Sequence, residues 1–240
     1  MADGYFVGIN WNRDGAETGG DFTDLGEDVT EDVLARGPVT FQYGRDQARA
    51  LSPPRVGAIA FTLCNPDGLY SPENPNSPVA ADVAPSAPIK VTETLGGVEY
   101  PLMRGRVDTF QANVRRRDQS VEITGLDDLA LLRGKKITTQ LYQAQRTGSL
   151  VVAILDAAGA FFNAPRRIDP GATHVPWWWA NNQDAFDLLT QLIRAEGPPA
   201  VAYVDPDGGF VFRDRHHRLL DAQSLTSQAT FTDGPAVSGC

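Results

Sequence analysis

The stretch from residue 55 to residue 108 constrains the fold most, because it places β-strand signals on both sides of a proline-rich segment. Residues 56–63 are apolar and β-prone and predict one strand. Asn65-Pro66-Asp67-Gly68 then carries the residues of a tight turn. Residues 70–88 include five prolines, which lack the N–H group that a sheet ladder needs and favour extended backbone. We therefore expect this segment to wrap over a barrel or a sheet.

Further strands are predicted around this segment. Gly96-Gly97 separates two strand-like runs and predicts a hairpin, and Gly105 in its second strand indicates a bulge or a close backbone approach. A turn is expected at Asp118-Gln119. The other predicted strands cover residues 5–11, 38–43, 109–114 and 120–124. With about six strands and no helical pattern between them, residues 1–130 are predicted to form an antiparallel β-barrel or sandwich.

After Gly125 the pattern becomes helical, beginning with one or two helical turns at DDLALLRG. Residues 148–159 and 182–197 have apolar side chains at helical spacing, and Asn182 or Asp184 is the expected cap of the second helix. Residues 200–213 predict a hairpin about the turn at 205–208. The fold class is therefore α+β, with a small α+β subdomain at 131–220. Residues 221–240 form a terminal segment with a weak strand signal.

Charge and cysteine content exclude several classes of protein. The net charge is −9, and the acidic excess lies mostly in the first third of the chain, which argues against a specific nucleic-acid surface. The two cysteines give no disulfide framework, and residues 1–12 lack the pattern of a secretory signal. Without an 18-residue apolar run, no membrane insertion is expected.

No cofactor, metal or catalytic residue is predicted. His216 and His217 are expected to end a strand, where neighbouring side chains point to opposite faces and cannot share one ion. Asp205 and Asp207 superficially resemble a calcium loop, but the position that requires a bidentate glutamate is a histidine. The neighbouring Asp127 and Asp128 are expected to diverge at the start of a helix, so they do not form an acid and nucleophile pair.

Trp177, Trp178 and Trp179 are the candidate site residues, as a possible interface or glycan contact. Three tryptophans in a row on a strand place at least one outward, where it stacks on a sugar or joins an interface. The alternative is that two pack on the helix at 182–197 and one lies at a contact. A second unusual cluster, Arg115 to Arg117 with Lys135-Lys136, predicts a solvated hairpin tip or a contact with an acidic neighbouring subunit.

Several of these segments also resemble a known family, the minor tail or tail-tip (baseplate) hub proteins of long-tailed bacteriophages that infect actinobacteria. The likeness extends over residues 1–220. The segments that carry it are the strand ending in LCN, the NPDGLYSPENPNSP loop, IKVTET, LMRGRVD, GLDDLALLRGKKITTQLYQAQRTG, RRIDPGATHVPWWW and GPPAVAYVDPDGGFVFRDRHHRL.

The resemblance implies a non-enzymatic virion component, assembled in the bacterial host cytoplasm. In the family the hub is a trimer, so a homotrimer is favoured and a hexamer is the alternative. The implied partners are a distal tail or tail-tube protein, the tape measure, and tail fibre or spike proteins. A second β-barrel usually follows in the family, so residues 221–240 are expected to begin a barrel that is truncated here or supplied by a split gene product.

Three functional hypotheses follow. The first is a tail-tip hub with a tail-tube-like domain at residues 1–130, or alternatively a distal tail ring protein. The second is a glycan-binding receptor-recognition module that uses the three tryptophans. The third is a cell-wall hydrolase, for which the sequence offers no catalytic motif.

Overall fold

The computed structural model describes residues 4–14, 22–24, 26–44, 54–115, 118–159 and 164–227. The strands are β1 Gly4–Ile9, β2 Thr40–Gln42, β3 Ala58–Cys64, β4 Pro88–Leu95, β5 Val98–Arg115, β6 Asp118–Leu126, β7 Lys136–Ile137, β8 Tyr142–Arg146, β9 Ala164–Ile168, β10 His174–Trp178, β11 Gln183–Asp184, β12 Val201–Val204 and β13 Gly209–Arg213. The helices are α1 Thr30–Leu34, α2 Thr147–Ala158, α3 Ala185–Glu196, α4 His217–Leu220 and α5 Ala222–Leu225, with a 3-10 helix at Asp128–Leu132.

The largest sheet has six strands in the order β1-β4-β5-β6-β3-β2, and every pair in it is antiparallel. This confirms the α+β class with antiparallel strands in the first half of the chain. Within the described residues, β1 and β2 occupy opposite edges and do not pair with each other. The sheet is therefore open, and the predicted closed barrel is not observed.

One face of this sheet carries the first core. In β3 the burial alternates, with Ile59, Phe61 and Leu63 buried and the side chains between them partly or fully exposed. This two-residue period is that of a strand with one face covered. The buried side chains of the first core are Val7, Ile9, Trp11, Val29, Val33, Ile59, Phe61, Leu63, Tyr70, Val79, Val83, Ala87, Ile89, Val91, Met103, Val107, Val121 and Ile123.

The proline-rich segment covers this core as a series of turns. The N–H groups of Gly68, Ser71, Asn74, Ser77 and Ala80 each donate to the carbonyl three residues earlier, at 3.0 to 3.4 Å. In four of the five turns the second residue is a proline, which suits that position, and the first is Asn or Ser. The expectation of extended backbone is therefore wrong, although the segment does cover the sheet. Tyr70 fixes it to α1, since its hydroxyl donates to the Asp32 carboxylate at 2.6 Å.

The hairpin at Gly96-Gly97 is confirmed, with both glycines at positive φ between β4 and β5. Gly105 marks a close approach of backbone. A Cβ added there would lie 2.5 Å from the Leu126 carbonyl oxygen on β6. The two bulges of β5 lie elsewhere, opposite Val91/Thr92 and at Val107/Thr109.

A second core lies between α2, α3 and a small three-stranded sheet. The hairpin of β12 and β13 is confirmed, and β9 pairs in parallel with β13, which the sequence did not indicate. Both long helices are confirmed: α2 ends at Gly159 in the left-handed conformation, and the Asp184 carboxylate caps α3. The buried side chains of this core are Leu129, Leu132, Ile137, Leu150, Val151, Ile154, Leu155, Ala158, Ala180, Ala185, Leu188, Leu189, Leu192, Ile193, Ala200, Ala202, Val204, Phe210 and Phe212. Core membership changes between Ile123 and Leu129, and the domain boundary at residue 130 stays a prediction.

Three local predictions are corrected or lie outside the described residues. Asp118 and Gln119 belong to β6 and pair with β5, so the turn predicted at these two residues is wrong. The short helix α1 lies in a region predicted to have no helix. The weak strand signal after residue 225 falls mainly on residues outside the described ranges, and residues 222–225 are helical. None of the described helices is both long and apolar enough to span a bilayer.

Candidate functional site

The three tryptophans lie on a two-stranded ribbon, formed by β8 and β10. In its antiparallel register Trp177 is opposite Gln143 and Trp178 is opposite Tyr142. Just beyond the paired residues, Thr139 and Ala180 continue the contact. The Thr139 N–H donates to the Ala180 carbonyl at 2.9 Å, and the Ala180 N–H donates to the Thr139 hydroxyl at 3.0 Å. The tryptophan segment is thus held on both sides by backbone hydrogen bonds.

Trp178 anchors the ribbon to the second core. Its ring contacts Tyr142 with centroids 5.9 Å apart, and both side chains are partly buried against the core. Trp177 and Trp179 lie on the opposite face, since alternate residues of a strand share a face. Their exposed fractions are 59% and 58%. The alternative of two tryptophans packed inward and one outward is therefore wrong, because one packs and two are exposed.

The ribbon has an irregularity beside the tryptophans. Val175 and Trp178 both pack against the second core, although residues three apart on a regular strand face opposite ways. Between the Val175–Gln145 and Trp177–Gln143 pairs, Ala144 has a φ of 49°, which a residue with a Cβ seldom adopts. The ribbon therefore changes its inward face between Val175 and Trp178, next to Ala144.

Uncharged polar side chains and one leucine are exposed close to the tryptophans in the register or the sequence. Leu141 is exposed beside the tryptophans on the neighbouring strand. The exposed amide side chains nearby are Gln140, Gln143, Asn181, Asn182 and Gln183. Asn182 is held at a φ of 50°, and its N–H donates to the Thr138 hydroxyl at 3.1 Å. Sequence reasoning found the tryptophans but missed these neighbours, because the pairing of β8 with β10 carries no local signal.

The residues that were considered and rejected as metal ligands have structural roles. His217 begins helix α4, and His216 precedes it, so the two do not end a strand as expected. The Nδ1 atom of His217 lies 3.0 Å from the Asp169 carboxylate. Asp205 caps its turn by accepting from the Gly209 N–H at 2.8 Å and pairs with Arg167. Across the described ranges, no group of three His, Cys, Asp or Glu side chains is arranged to hold a metal ion.

Asp127 and Asp128 diverge as predicted, and both are buried. Asp127 caps the 3-10 helix, accepting from the N–H groups of Leu129 at 3.1 Å and Gly57 at 2.7 Å. Burial raises the pKa of Asp127 to about 7, although these two hydrogen bonds favour the charged form. Asp128 accepts from Arg106 at 2.8 Å, and burial raises its pKa as well, against the attraction of that guanidinium. Both carboxyl groups therefore stabilise the junction between the sheet and the second core.

The predicted basic cluster is only partly described. Lys135 and Lys136 are exposed, and Lys136 lies 4.0 Å from the Asp184 carboxylate. Arg116 and Arg117 lie outside the described residues, as does the side chain of Arg115. The predicted contact of this cluster with an acidic neighbouring subunit stays a prediction.

Comparison with known proteins gives a likeness of fold. No protein family matches the sequence, and no curated protein matches it. Among solved structures, the chain is similar to the 43 kDa tail protein of prophage MuSo2 from Shewanella oneidensis, with a TM-score of 0.51 and 13% identity over 89% of this chain and 56% of that one. A tail protein from Neisseria meningitidis gives a TM-score of 0.49 and 12% identity over 87% and 50% of the two chains. Prophage tail protein gp18 from Listeria monocytogenes gives a TM-score of 0.46 and 12% identity over 91% of this chain and 52% of that one.

The chain thus spans about half the length of each of these proteins. At 13% identity, the likeness to the MuSo2 tail protein shows a shared fold and no more. It extends through both cores of the chain, because the matched share of 89% leaves out only about a tenth of the residues.

Proposed function

We propose that this chain is a structural component of a phage tail tip, a hub or minor tail protein that joins the tail tube to the host-contacting apparatus. The observation that carries the proposal is the likeness to the 43 kDa prophage tail protein over 89% of this chain. The segments that resemble tail-tip hub proteins lie in both cores, which supports the same assignment. The proposed role is mechanical rather than enzymatic, and the proposed location is the tail tip of the virion.

The open sheet suits a subunit that assembles with others. Edge strands present unpaired backbone groups, which favour pairing with another chain. The β1 edge is partly covered, because the N–H groups of Val29 and Ile9 bond across to residues 7 and 27, whereas β2 has one strand neighbour within the described residues. The sheet also leaves uncovered a face of small and polar side chains, such as Ala58, Thr62 and Glu122.

A surface for self-association lies at the end of the β4–β5 hairpin. Tyr5, Leu95, Val98 and Tyr100, which we term the hairpin patch, are each about half exposed. In the register, Glu93 lies between Tyr5 and Tyr100, and Leu95 pairs with Val98. The four patch side chains therefore lie at the same end of three neighbouring strands. An exposed cluster of large apolar side chains is typical of an interface. We propose that it contributes to a homo-oligomer, with a trimer favoured over a hexamer.

The remaining partners are proposed by resemblance. They are a distal tail or tail-tube protein, the tape measure, and tail fibre or spike proteins. In this proposal residues 1–130 act as the tube-like unit and residues 131–220 pack beside it.

The test is the copy number of this chain in purified phage particles, measured by quantitative mass spectrometry against the major tail-tube protein. About three copies per particle support the hub. About six support the alternative of a distal tail ring. Absence from particles that contain the other tail proteins would overturn the structural role.

A further inference from the structure

We propose that Trp177 and Trp179 form a stacking platform for a neutral oligosaccharide. The two indoles project from the same face of the β8–β10 ribbon, and each is more than half exposed. Tryptophan is usually largely buried, so two such exposed rings two residues apart require an explanation. The electron-rich face of an indole attracts weakly positive C–H groups, which the flat faces of pyranose rings provide.

The ribbon is built to hold these rings in place. Trp178 and Tyr142 fix its inner face to the second core, and the Thr139 and Thr138 hydroxyls accept from the Ala180 and Asn182 N–H groups just after the exposed segment. Ala144 keeps a positive φ at the point where the ribbon changes face. A backbone outlier held by its surroundings occurs most often at ligand-binding positions. The platform is therefore rigid before any ligand arrives, which lowers the entropic cost of binding.

The size of the exposed aromatic surface favours a small ligand over a protein partner. A fully exposed tryptophan side chain presents on the order of 250 Å². The two indoles together thus offer roughly 300 Å², whereas a stable protein interface needs about 800 Å² on each partner. Leu141 is the large apolar side chain exposed beside them among the described residues. On their own the two indoles cover less than half of that area, which is the scale of a small-ligand site.

The neighbouring side chains indicate that the sugar is uncharged. Gln143 lies opposite Trp177 in the register, and four further exposed amides, Gln140, Asn181, Asn182 and Gln183, lie close to the tryptophans or to Leu141 in sequence. Each amide offers both a donor and an acceptor, which suits sugar hydroxyl groups. A charged glycan is less well matched at the indoles, since the exposed Arg146 and His174 pair at the other end of the ribbon and Lys136 lies 4.0 Å from the Asp184 carboxylate.

The experiment is a titration of the purified full chain with neutral hexasaccharides of glucose, N-acetylglucosamine, mannose and galactose, followed by tryptophan fluorescence and calorimetry. At least one sugar is expected to bind. Trp177→Ala and Trp179→Ala are each expected to weaken that binding about tenfold, and Trp177→Tyr and Trp179→Tyr are expected to retain most of it. Tyr43→Ala, an exposed aromatic outside both the ribbon and the hairpin patch, serves as the matched control and is expected to bind normally.

Three results would overturn the proposal: no binding of any hexasaccharide by the wild-type chain, equal binding by the double alanine variant, or a change of oligomeric mass in the double variant. The last result would assign the indoles to a subunit contact. Thermal unfolding of each variant shows that a loss of binding does not arise from a loss of fold. The copy number in the particle is measured independently, so failure of the sugar site leaves the proposed tail role standing.

Discussion

The carboxylate of Glu196 accepts a hydrogen bond of 2.6 Å from the hydroxyl of Thr147, across 49 positions of sequence. Thr147 begins α2 and Glu196 ends α3, so the bond ties opposite ends of the two helices that form the second core. The same carboxylate accepts from the N–H groups of Ala172 at 2.9 Å and Thr173 at 3.0 Å. A fully buried carboxylate with three donors fixes the approach to β10 as well as the helix pair.

We expect Glu196→Gln to lower the free energy of unfolding by about 2 to 4 kcal/mol, because an amide cannot accept all three hydrogen bonds and its own NH₂ meets an N–H or O–H donor. Urea unfolding followed by circular dichroism measures the change. Glu73→Gln, at an exposed loop position, is the matched control. A variant as stable as that control would contradict the assigned role.

The acid stability of the chain should depend on the same residue. Burial alone would raise the pKa of Glu196, but the hydrogen bonds from Thr147, Thr173 and Ala172 hold it below its ordinary value. A carboxyl group with a lowered pKa stabilises the fold above its unfolded pKa of about 4.3. That contribution is lost as the pH falls further. As the pH falls below about 4.3, the free energy of unfolding should decrease less in Glu196→Gln than in the wild-type chain.

Asp127 should have the opposite effect on pH dependence. Burial raises its pKa to about 7, above the unfolded value, so the folded state holds the proton more tightly. The stability that Asp127 contributes is full below about pH 4 and declines as the pH rises to about 7, by up to about 1.4 kcal/mol per pH unit. Asp127→Asn is expected to remove this decline, measured by urea unfolding across that range. Asp67→Asn, at an exposed turn, is the control. If the free energy of unfolding depends on pH in the same way in the wild-type chain and in Asp127→Asn, the expectation is contradicted.

Gly105→Ala should destabilise the six-stranded sheet by about 3 kcal/mol, because its Cβ would lie 2.5 Å from the Leu126 carbonyl oxygen and force β5 away from β6. Gly4→Ala is the control, since a Cβ at this strand position meets no atom within 4 Å. Thermal unfolding of the two variants separates steric conflict from a general effect of replacing glycine in a strand. Equal melting temperatures would show that the sheet yields at Gly105.

The neighbouring tryptophans should differ sharply in their contribution to stability. Trp178→Ala removes the ring that packs on Tyr142 and the second core, and we expect a loss of about 2 to 3 kcal/mol. Trp177→Ala removes an exposed ring and should change stability by about 0.5 kcal/mol or less. Urea unfolding of the two variants measures the difference, and the reverse order would mean that the ribbon faces the other way.

Val98→Lys should disrupt self-association by placing a charge in the hairpin patch, where burial of an unpaired ammonium group is unfavourable. Light scattering after gel filtration should show a lower mass than the wild-type chain at equal concentration. Val152→Lys, at a partly exposed position on α2, is the matched control and should keep the wild-type mass. Equal masses for wild type and Val98→Lys would remove the hairpin patch from the interface.

Elements with a strong local signal were predicted well from the sequence. The alternation at Ile59, Phe61 and Leu63 predicted a strand with one buried face, and the apolar spacing and Asp184 predicted helix α3 and its cap. The hairpin at Gly96-Gly97 followed from residues that tolerate positive φ. In each case the information lies within about ten residues, which is where periodicity and turn chemistry act.

Long-range relationships could not be predicted in this way. The parallel pairing of β9 with β13 and the pairing of β8 with β10 join residues far apart in sequence, and their strands are only five residues long. The positive φ of Ala144, where the ribbon changes its inward face, could not be predicted either, because alanine seldom adopts it. The five-residue helix α1 is too short to show a helical period.

The turns between Asn65 and Ala80 divide the proline-rich segment into repeating units. Each unit is three residues, closed by one local hydrogen bond, and most begin with Asn or Ser followed by Pro. Insertion or removal of a whole Asn/Ser-Pro-x triplet would keep every proline in register with its turn, whereas a single added residue would shift all later prolines out of position. The length of this segment should therefore differ between related chains by multiples of three residues.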